Sequence, residues 1–350
     1  MQSKTLHIIY SGLGGTADYV FNLIRGDVEQ KIHHHILFYG VEDVPADQLD
    51  FAKSICSDVF VIQKETGVDK NALKEISETL LEQDFKSISL HVNSLILHLP
   101  KLMQNQSKLI FVEHQSNQLK TRKEWLWSIL AQRKAELVIS LTPEYQNELK
   151  SKLRFLYKST KNHLIKTGLH LADYQPNIAS SNKLKVGMVS RINELKDHKT
   201  LIKAFEELDY PESELHIAGD GPSLKELKTL SQSEKTKFTG MLSKGAVVQF
   251  MSNLTIYVQA TKGETSSLAI MQAQCSALPI IASNVKGVQN MLDDSNAILV
   301  ELENVQDMKN ALDKLFKSSE LRKKLALSSS VYAEGKLDNK KMFYQFEKLF

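Results

Sequence analysis

With 350 residues, 42% of them hydrophobic and 24% charged, the chain has the make-up of an ordinary folded protein and is too long for one hydrophobic core, so two domains are expected. Its two cysteines, Cys56 and Cys275, lie far apart without metal-ligand spacing, which argues against a disulfide scaffold or a zinc module. The net charge of +3 conceals an asymmetry: residues 1–100 carry 14 acidic and 8 basic side chains, whereas residues 101–170 carry 13 basic and 5 acidic. Cationic charge is thus gathered in the second quarter, where it can attract an anionic ligand or surface. The start leads straight into the apolar LHIIY without the flank of a signal peptide, and no run of about 18 apolar residues occurs. A soluble, cytoplasmic protein is expected.

Short apolar runs alternate with helical periods throughout, the pattern of parallel sheets covered by helices. In the first half, strands are expected at residues 6–10, 35–39, 59–62, 87–91, 108–113 and 137–141. The first runs into SGLGGTADYVFNLI, where Gly12, Gly14 and Gly15 permit a tight turn and close backbone approach before a helix. Two readings stay open there, a loop that faces a diphosphate and a G-x-G-x-x-A dinucleotide fingerprint ending at Ala17. The second requires an acid about 20 positions on, at the end of the second strand, and the first acids after that strand are Glu42 and Asp43. The triplet His33–His35 is not a metal cluster by spacing, because neighbouring strand residues point to opposite faces. No other grouping has metal-ligand spacing, and no metal is expected. His91 and His114 each end an expected strand. The stretch LKTRKEWLWSILAQRK, residues 119–134, mixes Lys120, Arg122, Lys123, Arg133 and Lys134 with Trp125, Leu126, Trp127, Ile129 and Leu130. It reads either as a core helix with a solvated basic face or as a peripheral contact with an anionic membrane. Nucleic acid is not indicated, since no recognition motif accompanies the charge.

The segment 171–183, LADYQPNIASSNK, lacks helical periodicity and reads as a linker. Beyond it, strands are expected at 184–190, 214–218, 237–239, 254–259, 279–282 and 297–300, with a helix over 199–208 that buries Leu201, Ile202, Phe205 and Leu208. Arg191 and Lys196 follow the first of these strands, at the carboxyl edge where doubly wound sheets bind phosphates. Gly219, Gly221 and Pro222 form a strand-to-helix turn. In LTIYVQATKGETSSLAIMQAQCSALPIIAS an acid, Glu264, leaves a strand; Thr265, Ser266, Ser267 and Leu268 are expected to open a helix whose backbone N–H groups can hold an anion; and Gln272 stands eight positions beyond Glu264.

That last block resembles the E-x7-E region of retaining GT-B glycosyltransferases of the family 4 (glycosyl transferases group 1) type, with Gln272 in place of the second acid. The resemblance is dense over residues 185–300 and thinner before residue 171. It implies a GT-B α/β fold of two Rossmann-like doubly wound domains facing across a cleft. The domains would be 1–170 on the acceptor side and 184–330 on the donor side, with a tail at 331–350 crossing back to the first. It further implies transfer of a hexose-type sugar from a UDP- or GDP-sugar to a glycan or lipid-linked acceptor, as in bacterial surface polysaccharide or glycolipid assembly, without a cofactor. Arg191, Lys196, Gly14, Gly15 and the Thr265–Ser266–Ser267–Leu268 amides would hold the diphosphate. His91 and Glu264 would hold the transferred sugar; Gln272, Met241 and Leu242 would border ribose and base; His114 would border the acceptor. Alternatives are a non-catalytic GT-B module, an NAD-dependent oxidoreductase, and a sugar-nucleotide epimerase or phosphorylase.

Overall fold

A computed structural model describes residues 3–12, 14–103, 107–114, 120–175, 183–264 and 266–350. Its apolar runs form thirteen described strands: β1 Ser3–Tyr10, β2 Ile32–Gly40, β3 Asp58–Gln63, β4 Ser87–Leu90, β5 Lys108–Glu113, β6 Leu137–Ser140, β7 Asn162–Leu164, β8 Leu184–Val189, β9 Ser213–Ala218, β10 Thr236–Gly240, β11 Ile256–Gln259, β12 Ile280–Ser283 and β13 Ala297–Val300. Every residue of β4, β11 and β12 is buried, as expected of central parallel strands covered on both faces.

The chain divides into two units, Met1–Gly168 with Asn339–Phe350, and Leu169–Asp338. All pairings between these described strands are parallel, and the sheet orders are β3-β2-β1-β4-β5-β6-β7 in unit 1 and β10-β9-β8-β11-β12-β13 in unit 2. Both are doubly wound Rossmann-like sheets. Each reverses its order between its first and fourth strands, β1/β4 and β8/β11, and such reversals leave a crevice at the strands' carboxyl ends. In each unit alternate strand residues enter separate apolar clusters: Leu6 and Ile8 one, Ile9 the other; Val186 and Met188 one, Tyr257 and Ile280 the other.

Four expectations change. The strand β7 was not anticipated, because three residues reading NHL carry no apolar run. The segment 171–183 begins inside unit 2: Leu169 and Tyr174 are buried with Met251 and Leu254, and residues 176–182 lie outside the described residues. The helix after β11 spans Leu268–Cys275 with Ser267 as its cap, so Ser266 precedes it; Thr265 lies outside the described residues. The tail is two helices, Ser319–Lys336 and Asn339–Glu347. At the break the Leu337 carbonyl accepts the Leu169 N–H at 2.6 Å, and Asn339 Nδ2 donates to the Asn22 carbonyl at 3.0 Å.

The last helix packs on the helix Gly15–Gly26. A Cβ on Gly26 would lie 2.4 Å from the Asn339 carbonyl oxygen, so only glycine permits that approach. Met342, Phe343 and Phe346 are buried in the unit 1 core, whereas Phe350 is half-exposed. Replacing the fully buried Phe346 with Ala is expected to cost about 3–5 kcal/mol. Urea unfolding checks this, and a loss below about 1 kcal/mol would mean the tail does not complete that core.

Candidate functional site

At the unit 2 reversal, β8 leads into residues 190–197 and β11 into residues 260–267. These loops are stitched together: Asp197 N–H donates to the Ala260 carbonyl at 3.0 Å, Lys262 N–H to the Leu195 carbonyl at 2.8 Å, and Lys196 bridges antiparallel to Thr261. Across this seam Lys196 Nζ lies 2.5 Å from Glu264 Oε2, both side chains largely buried. Lys196 and Glu264, assigned to diphosphate and sugar from sequence, are therefore direct partners.

Two devices hold the β8 loop. His198, buried, spans it, with Nδ1 3.2 Å from the Lys196 carbonyl and Nε2 3.0 Å from Ser190 Oγ. A carbonyl only accepts, so Nδ1 carries the proton and Nε2 accepts from the serine. Burial pushes the His198 pKa down to about 4. The second device is the glycine turn after β9. Gly219 and Gly221 have φ of +134° and +155°, and Cβ atoms there would lie 1.9 Å from the Ser190 carbonyl oxygen and 2.2 Å from that of Ile192. The turn thus braces the backbone on either side of Arg191, whose side chain is exposed. His198 was missed in the sequence, where nothing distinguishes it from a helix-start histidine.

The helix Leu268–Cys275 is capped by Ser267, whose Oγ accepts the Ile270 N–H at 3.3 Å, while Ser267 N–H points to Met291 Sδ at 3.3 Å. The Ser267 hydroxyl is thus spent on the cap, and the Leu268 and Ala269 amides form the helix's leading end. Ser266 and Leu268 are half-buried. Gln272 sits half-buried in the second turn. Glu264 lies outside this helix, so the two are not joined by helical periodicity. Met241, exposed, and Leu242 follow β10, whose last residue, Gly240, accepts the Gly219 N–H at 2.8 Å.

In unit 1 the reversal places Gly12, Gly14 and Gly15 after β1 and His91 after β4. Gly14 and Gly15 are exposed, and Cβ atoms there would meet nothing within 4 Å. His91 is buried, with Nε2 3.1 Å from Ser89 Oγ and Nδ1 2.7 Å from His114 Nε2. Both its ring nitrogens are engaged; His114, beyond β5, is the less buried ring. Tyr19 of the covering helix meets His114 edge-on at 5.1 Å. Behind them His7 Nε2 lies 3.0 Å from His34 Nδ1, and His34 Nε2 lies 3.4 Å from Asp27. A carboxylate favours a proton on His34 Nε2, which leaves Nδ1 to accept from His7. Of the His33–His35 triplet, His33 is exposed, His34 joins this seam and His35 pairs with Asp58 at 3.1 Å.

The basic helix is largely absorbed by the fold. Lys120 is buried with Glu113 at 2.8 Å, and Trp125, Trp127, Ile129 and Leu130 pack on the unit 1 core. Arg122, Lys123, Leu126 and Arg133 are exposed; residue 119 lies outside the described residues. No helix among the described residues is long and apolar enough to cross a membrane.

Residues 172–328, which lie in unit 2, match the family Glycosyl transferases group 1. The chain is 27% identical over 151 residues to the alpha-monoglucosyldiacylglycerol synthase of Streptococcus pneumoniae, covering 37% of this chain and 34% of that protein. It is 27% identical over 128 residues to the sulfoquinovosyl transferase SQD2 of Arabidopsis thaliana, covering 36% and 25%. The matched stretch thus spans about a third of the first relative's length and a quarter of the second's. The crystal structure of Anabaena Alr3699/HepE with UDP and glucose superimposes with a TM-score of 0.80 over 99% of both chains at 17% identity. The fold is GT-B.

Burial pushes His114 to about 4 and His91, His7 and His34 below their ordinary value; His91 and His7 are lowered further by neighbouring imidazoles. These groups take protons first in the unfolded chain. Their stabilisation is complete above pH 6.5 and declines as pH falls toward the folded values. For a histidine at about 4 this amounts to roughly 2 kcal/mol at pH 5. Denaturant unfolding is expected to give lower stability at pH 5 than at pH 7.5, with His114→Gln narrowing the gap. A gap unchanged by that variant would mean His114 titrates normally.

Proposed function

We propose that the chain is a glycosyltransferase that moves a hexose-type sugar from a UDP- or GDP-sugar to an acceptor hydroxyl with retention of anomeric configuration. The observation that carries this is the convergence at one switch point of an exposed Arg191, the Lys196–Glu264 pair and the leading amides of the helix Leu268–Cys275. An anion at that point would meet the Arg191 guanidinium, the leading N–H groups of the helix, and the Lys196 ammonium as it turns from Glu264.

In the proposed reaction the bond between the anomeric carbon and the β-phosphate oxygen breaks, and the acceptor oxygen bonds to the same face. The acceptor proton passes to the departing phosphate. Arg191, Lys196 and the Leu268 and Ala269 amides stabilise the charge that develops there, so no metal is required in this scheme. Glu264 holds sugar hydroxyls, and Gln272 meets the ribose as an amide, which can accept and donate but lacks a carboxylate's charge. The acceptor is proposed to be a glycan or a lipid-linked sugar. The diacylglycerol in the name of the Streptococcus relative supports the second, as do Arg122, Lys123 and Arg133 as a peripheral contact with an anionic membrane at the cytoplasmic face.

Calorimetric titration with UDP and GDP tests this. One of them is expected to bind, and Arg191→Ala and Lys196→Ala are each expected to weaken it at least ~10-fold, about 1.4 kcal/mol. Binding of neither nucleotide, or full affinity in both variants, would overturn the donor-site reading.

A further inference from the structure

We propose that Gln259, oriented by Tyr257, is the positioning residue that fixes Glu264 for the transferred sugar; the inference rests on the donor-site reading above. Both lie on β11, the central strand at the unit 2 switch point, two residues apart and so on one face of the sheet. Tyr257 is 0% exposed and Gln259 1%, in a strand whose covered position calls for apolar side chains. Burying two such polar groups is costly unless each is bonded.

They bond each other: of the two acceptors near the phenol, the Val189 carbonyl at 3.5 Å and the Gln259 amide oxygen, the second is much the closer. Tyr257 Oη lies 2.6 Å from Gln259 Oε1, and an amide oxygen accepts but never donates, so the phenol donates and pins the amide. The amide nitrogen is thereby turned outward, where Nε2 donates to Glu264 Oε2 at 3.2 Å. That oxygen also receives Lys196 Nζ. The two donors differ in what a ligand can do to them. Lys196 sits on a flexible stem and carries the charge an incoming diphosphate would compete for. Gln259 is rooted in the strand and neutral, and it keeps its hold when the ammonium turns to phosphate. Glu264 is thus tethered independently of the cation beside it, and its carboxylate stays placed for sugar hydroxyls through the exchange.

The test compares Kd values of the full chain for UDP and UDP-glucose, or for GDP and GDP-mannose if guanine is selected. The ratio of the sugar-nucleotide Kd to the nucleotide Kd cancels a general loss of fold. Gln259→Leu is expected to raise that ratio at least fivefold while nucleotide affinity stays within twofold. Tyr257→Phe, which frees the amide to turn over, is expected to move it in the same direction. On a Glu264→Ala background neither change is expected to have further effect. The paired Tyr257→Phe/Gln259→Leu variant removes both buried partners together and serves if a single variant folds poorly. An unchanged ratio in a folded Gln259→Leu chain overturns the inference, as does a wild-type chain that binds the nucleotide but not the sugar nucleotide; both leave the donor-site reading standing. A chain that binds neither nucleotide removes both.

Discussion

The Lys196–Glu264 contact is the constraint on which the unit 2 site depends. Two opposite charges, 68 positions apart, are held at 2.5 Å with little exposure. Burying them is costly unless the partner stays in place, and removing either would leave an unpaired charge. The partner stays because β8 and β11 are adjacent parallel strands, and because main-chain hydrogen bonds join their loops directly beyond the sheet. His198 and the Gly219–Gly221 turn then fasten the β8 loop from two further sides. The ion pair is thus the visible end of a backbone arrangement that begins in the strand order.

Unit 1 meets the same problem with different chemistry. The sheet face beneath its first and last helices carries imidazoles and hydroxyls where aliphatic side chains would pack. Thr5 bonds Ser87 at 2.8 Å, His7 bonds His34, and Ser89 and His114 hold His91. Phe346 and Tyr19 cover the rings. Neutral rings are compatible with that burial, and charged ones are not. The seam therefore orients His91 and His114 rigidly at neutral pH and loosens in acid.

Strands were legible because a buried parallel strand must be a continuous apolar run, and β5 and β13 coincide with the expected residues. The three-residue β7 has no such run. The helix start was legible only to within a residue or two, because Ser266 and Ser267 are equally good caps on paper; the geometry selects Ser267, whose hydroxyl accepts from Ile270. The cations Arg191 and Lys196 were visible from their place after a strand, but the pairing of Lys196 with Glu264 is a product of topology. Lys120 looked like a surface charge within a basic run, yet a carboxylate at the end of β5 draws it inside. Tyr257 and Gln259 passed as ordinary strand residues, since nothing local reveals that their side chains bond one another.

The most direct measurement is a crystal structure of the chain with UDP or GDP bound. The account predicts the diphosphate on Arg191, Lys196 and the Leu268 and Ala269 amides, with the base beside Met241 and Leu242. A nucleotide seated instead on Gly12, Gly14 and Gly15 of unit 1, with the unit 2 switch point untouched, would contradict it.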